Sequence, residues 1–385
     1  MKTSFFLFLF LVSLYAEERP LYQEHFDAEK SGIFLPLTID GKECSFLFDT
    51  GASFVVLDKS LRHLLGKPLS LKEVQEQTGL SFSSEEVLTP NGEIALKMYK
   101  ALPLRLGRLQ VANKFPYILA DLKPLWPFAG EKFCGILGSS FLHQFRWEID
   151  FLEAVIKAYI GVEPYHGSYT SSTPISWSVG KIPQVKLNLY GKEVFFDIDT
   201  GDNGSGRMRK ENFLFLQERG EIIASRQEET ITISALSSSN EFRLKNFVFA
   251  NVLYPKPVMQ ESRQNAMGLL FLRRHNVVLD FPFNKLYLKA HKDYAAKQDL
   301  DKSGLRIVLQ DEKLIVFSIK PQKGAFVEGI QKGDEIISVN GKTNLSLYAM
   351  RKLLRSAEGT RLSLKIRRSS KVSTACIVLG KNPLG

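Results

Sequence analysis

Short runs rich in Val, Ile, Phe, Tyr and Leu recur along most of the chain, separated by turn signals such as Asp40-Gly41, Asn91-Gly92 and Tyr190-Gly191. Runs of this length bounded by tight-turn pairs predict strands, and hence a body that is mainly β. Two stretches break the pattern and read as short helices, Lys59 to Gly66 and Arg209 to Arg219. The apolar pattern lapses from Gly161 to Pro174, where Gly, Pro, Ser and Thr mark a linker, and again over the more polar stretch from Ala290 to Ser303.

The runs also repeat at long range. Gly41-Lys42-Glu43 leads to Phe48-Asp49-Thr50-Gly51, and Gly191-Lys192-Glu193 leads to Ile198-Asp199-Thr200-Gly201, with eight residues from Gly to Asp in both. Downstream, Ile136-Leu137-Gly138 precedes Asp150, and Ala266-Met267-Gly268 precedes Asp280, with twelve residues from Gly to Asp in both. Two blocks that keep their order and internal spacing imply a duplicated lobe.

An apolar strand ending in Asp-Thr-Gly presents a carboxylate at a tight turn, where Gly lets the backbone fold back and Thr can lock it. One such triplet is a common turn. Two copies at equivalent places bring two carboxylates together across a near-twofold axis, where they cannot both ionise and must share a proton. Such a pair can activate water for peptide hydrolysis without a metal or a covalent intermediate.

At this point the chain resembles the aspartic peptidases, in particular retropepsin-like and pepsin-like proteins with both lobes in one chain. The turn Phe48-Asp49-Thr50-Gly51-Ala52-Ser53 and the segment Gly135-Ile136-Leu137-Gly138 carry the resemblance most faithfully. It implies two pseudo-twofold-related β-barrel lobes, Asp49 and Asp199 as the catalytic pair, active-site turns formed by Thr50, Gly51, Thr200 and Gly201, and Thr50 and Thr200 linking the turns. It also implies a β-hairpin flap, for which Gly79 to Gly92 and Thr230 to Glu241 are both candidates. The second lobe departs from the pattern. Asp202 stands where the family has Ala, Ser or Thr, and Asp197 stands where the first lobe has Leu47. Either extra carboxylate is expected to raise the pKa of the pair by like-charge repulsion. No His or Cys accompanies these acids, so no metal site and no cofactor are expected. His63, His143 and His275 are isolated and read as surface or capping residues.

Beyond Gly304, the stretch Gly333-Asp334-Glu335-Ile336-Ile337-Ser338-Val339-Asn340-Gly341 resembles the signature of PDZ domains in bacterial proteases. Helical spacing at Leu345, Met350, Leu353 and Leu354 supplies an apolar face to flank a groove. The resemblance implies a peptide strand added along Gly304, Leu305, Arg306 and Ile307, with its carboxylate near the first two amides. The organisation expected is a signal peptide over 1–16, lobes over 30–160 and 174–291 joined by a linker over 161–173, and a PDZ domain over 302–382.

Charge sharpens the picture of partners. The formal charge is +10, and from Asp301 onward 16 Lys and Arg face 7 Asp and Glu, so nearly all of the excess lies in the C-terminal module. These bases form no dense run with interleaved aromatics, which argues against nucleic acid and favours acidic C-terminal peptides beside protein or peptide substrates. The basic start and the apolar stretch Phe5 to Tyr15 read as an export signal, and place the chain in the periplasm or outside the cell. Leu14 stands where a cleavage site has a small residue, so an uncleaved anchor stays open. No other run is long enough to span a bilayer. Cys44 and Cys134 lie on strands expected to be close, yet buried free cysteines are common, and the free form is the expectation. Two functions stay open: an aspartic endopeptidase whose PDZ domain recruits peptides or regulates access, and a catalytically inactive scaffold that binds peptides through the cleft and the PDZ groove.

Overall fold

The computed structural model describes residues 18–79, 86–89, 92–95, 97–161, 163–231, 236–320 and 326–384. The leader read over 1–16 lies outside them. The described chain is mainly β, with curled half-barrel sheets.

Both halves of the repeat build the same frame. Strand Lys42–Phe48 alternates buried Phe46 and Phe48 with half-buried Leu47. It runs parallel to Gly135–Leu137, with Leu47 opposite Ile136. Strand Lys192–Ile198 likewise runs parallel to Ala266–Met267, with Asp197 opposite Ala266. A third strand, Val56–Asp58 in one copy and Gly206–Arg209 in the other, pairs antiparallel with the same inner strand. Each frame lies at the middle of its own eight-stranded sheet.

A six-stranded sheet joins the lobes. At its centre Arg146–Asp150 and His275–Asp280 run antiparallel, with Trp147 opposite Leu279 and Ile149 opposite Val277. One continuous apolar core follows, in which Phe48, Phe141 and Trp147 of the first lobe are buried with Ile198, Phe271 and Leu279 of the second. Part of the expected linker belongs to this sheet, because Ser171–Pro174 pairs along Lys285–Ala290. Its Ser and Thr side chains give no apolar signal, since edge pairing uses the backbone alone. The two short helices form as the pattern predicts, Lys59–Leu64 as a 3₁₀ turn and Lys210–Glu218 as an α-helix.

The C-terminal sheet begins with Leu305–Gln310 at its edge, followed by Lys313–Ile319. Asp334 is buried and receives both the Nε and an Nη of Arg368 at 2.8 Å. Asn340 and Gly341 take left-handed backbone conformations at the turn that follows Glu335–Val339. The polar connection before this module is packed instead of open. Leu300 is buried, and the Lys302 ammonium donates to the carbonyls of Arg355 at 3.0 Å and Ser356 at 2.8 Å. Arg243 of the second lobe, also buried, donates to the carbonyls of Gln298 and Leu384. A polar side chain can thus mark an interface when its charge is taken up by main-chain carbonyls.

Candidate active site

The two Asp-Thr-Gly turns meet where the lobes face each other. Each begins at a strand end fixed by the inner strand: the Asp49 amide donates to Leu137 at 3.1 Å, and the Asp199 amide to Met267 at 3.0 Å. Asp49 Oδ1 then accepts from the amides of Gly51 at 2.8 Å and Ala52 at 3.2 Å. Asp199 Oδ1 accepts from Gly201 at 3.1 Å and Asp202 at 3.0 Å. Across the interface the Thr50 amide donates to Thr200 Oγ1 at 3.0 Å, and the Thr200 amide returns a bond to Thr50 Oγ1 at 3.1 Å. Each hydroxyl donates to a carbonyl on the opposite strand, Thr50 to Ile198 and Thr200 to Phe48. Both threonines are fully buried. Their reciprocal bonds tie the lobes at the point that carries the acids.

The glycines serve a different need from the one their residue type suggested. Neither Gly51 nor Gly201 sits in the left-handed region. A Cβ on Gly51 would lie 2.4 Å from Asp199 Cγ, and one on Gly201 would lie 2.2 Å from Asp49 Cγ. Each glycine is therefore the floor on which the opposite carboxylate rests, and space, not backbone freedom, requires it.

Burial first, and the Asp199 charge second, hold Asp49 well above the usual carboxylate range. Burial also raises Asp199, with Arg207 pulling it down and Asp202 pushing it up. The surplus acids of this lobe are accounted for individually. Asp202 is 8% exposed, with Oδ1 accepting from the Gly204 amide at 2.9 Å and Oδ2 lying 3.0 Å from Arg207 Nε. Arg207 Nη1 in turn lies 3.9 Å from Asp199 Oδ2. Asp197 accepts from Gln184 Nε2 at 2.7 Å, and burial lifts it to about 6 against that bond. Sequence reasoning missed Arg207. The signal was available: three acids around one turn call for a counter-cation, and Arg207 follows Asp202 by five residues on a strand with one polar face.

Cys44 and Cys134 form a disulfide, with their Cα atoms 6.0 Å apart, so the expectation of free thiols is corrected. The Cys134 amide donates to the Ser45 carbonyl, which brings into register the two strands that lead to the first turn. Each flap candidate overlaps a hairpin that extends beyond its bounds, Glu86–Thr89 with Gly92–Ala95 in the first lobe and Ile222–Ile231 with Leu236–Leu244 in the second. Their tips lie outside the described residues. Among the described residues no three His, Cys, Asp or Glu side chains converge as metal ligands would. His63 and His143 each meet a nearby main-chain carbonyl, but His275 is fully buried against the Tyr254 hydroxyl at 2.7 Å, and so is neither a surface nor a capping residue.

In the C-terminal module the stretch Gly304, Leu305, Arg306 and Ile307 opens the edge strand. The Gly304 amide is bonded to Asp301 Oδ1 at 2.6 Å and the Leu305 amide to Ser303 Oγ at 3.0 Å, while Leu305 and Ile307 are buried. A helical turn of the first lobe, Trp126–Ala129, lies against this strand. Phe128 packs edge-on to Phe317 at 5.1 Å, and its carbonyl accepts from Arg351 at 3.2 Å. Arg351, on helix Leu347–Leu353, also donates to Ser31 Oγ at 2.8 Å.

Among the described residues no helix is long and apolar enough to cross a membrane. No curated protein matches the chain. Residues 35–141 match the family model described as an aspartyl protease, and residues 303–379 match that of a PDZ domain. The first match covers the lobe of Asp49, and the strand registers above repeat its frame around Asp199. The chain therefore carries an aspartyl protease domain followed by a C-terminal PDZ domain.

Proposed function

We propose that the protein is an aspartic endopeptidase in which Asp49 and Asp199 activate a water to hydrolyse peptide bonds, and that its PDZ domain recruits a peptide or regulates access to the cleft. One observation carries this reading: each turn glycine lies under the opposite carboxylate while the two threonines exchange bonds, so the acids are held as one unit. A buried pair of this kind has one proton between two oxygens that face the same space, which suits it to take a proton from water and give one to a carbonyl oxygen. The surplus acids Asp197 and Asp202 are the sequence feature that keeps an inactive scaffold open, and the ion pair of Asp202 with Arg207 weakens that ground for Asp202. The Cys44–Cys134 disulfide agrees with export to an oxidising compartment.

The test is cleavage of an unfolded protein across acidic to neutral pH, with pepstatin as control. Asp49→Asn and Asp199→Asn are each expected to abolish cleavage while leaving the circular dichroism spectrum unchanged. Wild-type turnover in Asp199→Asn would rule out the two-lobe mechanism.

A further inference from the structure

The two turns are alike in hydrogen bonding but not in charge. Arg207 pairs with Ala266 across the strand ladder where the first lobe pairs Val56 with Ile136. A buried apolar position in one copy is thus a guanidinium in the other, on the same side of the same frame. That guanidinium is only 13% exposed and is aimed by Asp202, whose Oδ2 forms an ion pair with its Nε at 3.0 Å while the Asp202 amide donates to Asp199 Oδ1. Asp202 therefore fixes Arg207 and Asp199 together.

We propose that Arg207 is a positioning residue that breaks the symmetry of the pair, holding Asp199 as the carboxylate and leaving the shared proton on Asp49. The proposal rests on the peptidase reading and deepens it by giving the two acids different roles. The groups facing Asp199 are Asp49 from the opposite turn, Asp202 from its own turn, Asp197 from the preceding strand and Arg207 from the strand that follows. Arg209 acts on Asp197. Asp49 receives two amides and the charge of Asp199, its own lobe has Val56 in the place of the arginine, and Arg207 acts on it less than on Asp202 and Asp199.

As water oxygen bonds to the scissile carbon, one water proton passes to Asp199 and the Asp49 proton passes to the former carbonyl oxygen, giving a neutral gem-diol. On collapse Asp199 returns its proton to the amide nitrogen and the carbon–nitrogen bond breaks. A gem-diol hydroxyl then restores the proton to Asp49.

Two readouts test this on the full chain: the acidic limb of the pH profile of kcat/KM, and the titration of ¹³C-labelled aspartate carboxylates by NMR without substrate. Removing the cation with Arg207→Met is expected to move the first ionisation of the pair upward by roughly one to two pH units. Arg207→Lys, which keeps a cation, should show little of that shift. Asp202→Asn, which leaves the guanidinium to Asp199 alone, should move it the opposite way. Profiles of Arg207→Met and Asp202→Asn that overlay the parent would overturn the proposal. If Arg207→Met does not fold, the Asp202→Asn shift decides alone. Should the parent lack pepstatin-sensitive cleavage, the peptidase reading fails, whereas the NMR titration still tells whether Arg207 sets the proton.

Discussion

At the scale of single residues the site depends on groups that leave no room for near-equivalents. Adding one methyl group at Gly51 or Gly201 places carbon within 2.4 Å or 2.2 Å of the opposite carboxyl carbon. Both Gly→Ala variants are therefore expected to lose cleavage at every pH and to lose roughly 1–3 kcal/mol of stability through overpacking, which urea denaturation will measure. Thr200→Val keeps the shape but removes an acceptor for the Thr50 amide and a donor to the Phe48 carbonyl. Buried groups left without partners cost about 1–3 kcal/mol each, so this variant should fall well below Thr200→Ser in the same assay. The catalytic aspartates and threonines were legible in the sequence because their signal is local and occurs twice at one spacing. Arg207 was not, because its meaning lies in a strand pairing with Ala266, nearly sixty residues away in sequence.

At the scale of elements the inter-lobe sheet carries a pH liability. His275 opens its second central strand fully buried, and burial depresses its imidazole to about 4. Unfolded, the same side chain titrates near 6.5. Between these values the unfolded chain holds a proton that the folded chain lacks, so stability is intact above about 6.5 and declines as pH falls toward 4. The slope is at most about 1.4 kcal/mol per unit. His275→Gln, which keeps a partner for the Tyr254 hydroxyl, is expected to flatten this decline in urea midpoints recorded from pH 7 to pH 4. A neutral buried imidazole was hidden from the sequence, where His275 merely stands alone between two strands. The Cys44–Cys134 bridge was half legible, since the sequence places the two strands close, but only their parallel register sets two residues 90 apart within bonding reach. Replacing both with Ser should lower stability by about 2–5 kcal/mol, as measured by thermal or urea unfolding.

At the scale of the whole molecule the domains were legible as kinds but not as an assembly. The PDZ signature and the duplicated lobe each announce themselves through spacing. Their junction does not, because it is made of residues that look like ordinary surface: Lys302, Arg243, Arg351 and Phe128. Truncation before Lys302, which the polar connection alone would recommend, is thus expected to expose this junction and lower both solubility and melting temperature relative to the full chain. A truncated chain as stable as its parent would show that the junction adds nothing. The turn Trp126–Ala129 gives this junction a further meaning, because it already rests on the strand that an incoming peptide would extend. For a peptide that added to this strand, the turn would be a competitor carried by the same chain. Because the turn and the strand belong to one chain, a free peptide would have to displace an intramolecular contact through affinity, abundance or multivalency. Phe128→Ala should weaken the competitor and tighten the apparent Kd for any one tail titrated against the full chain. On that reading, scarce or weak tails would leave the contact between the domains in place, and only abundant or tight ones would displace it.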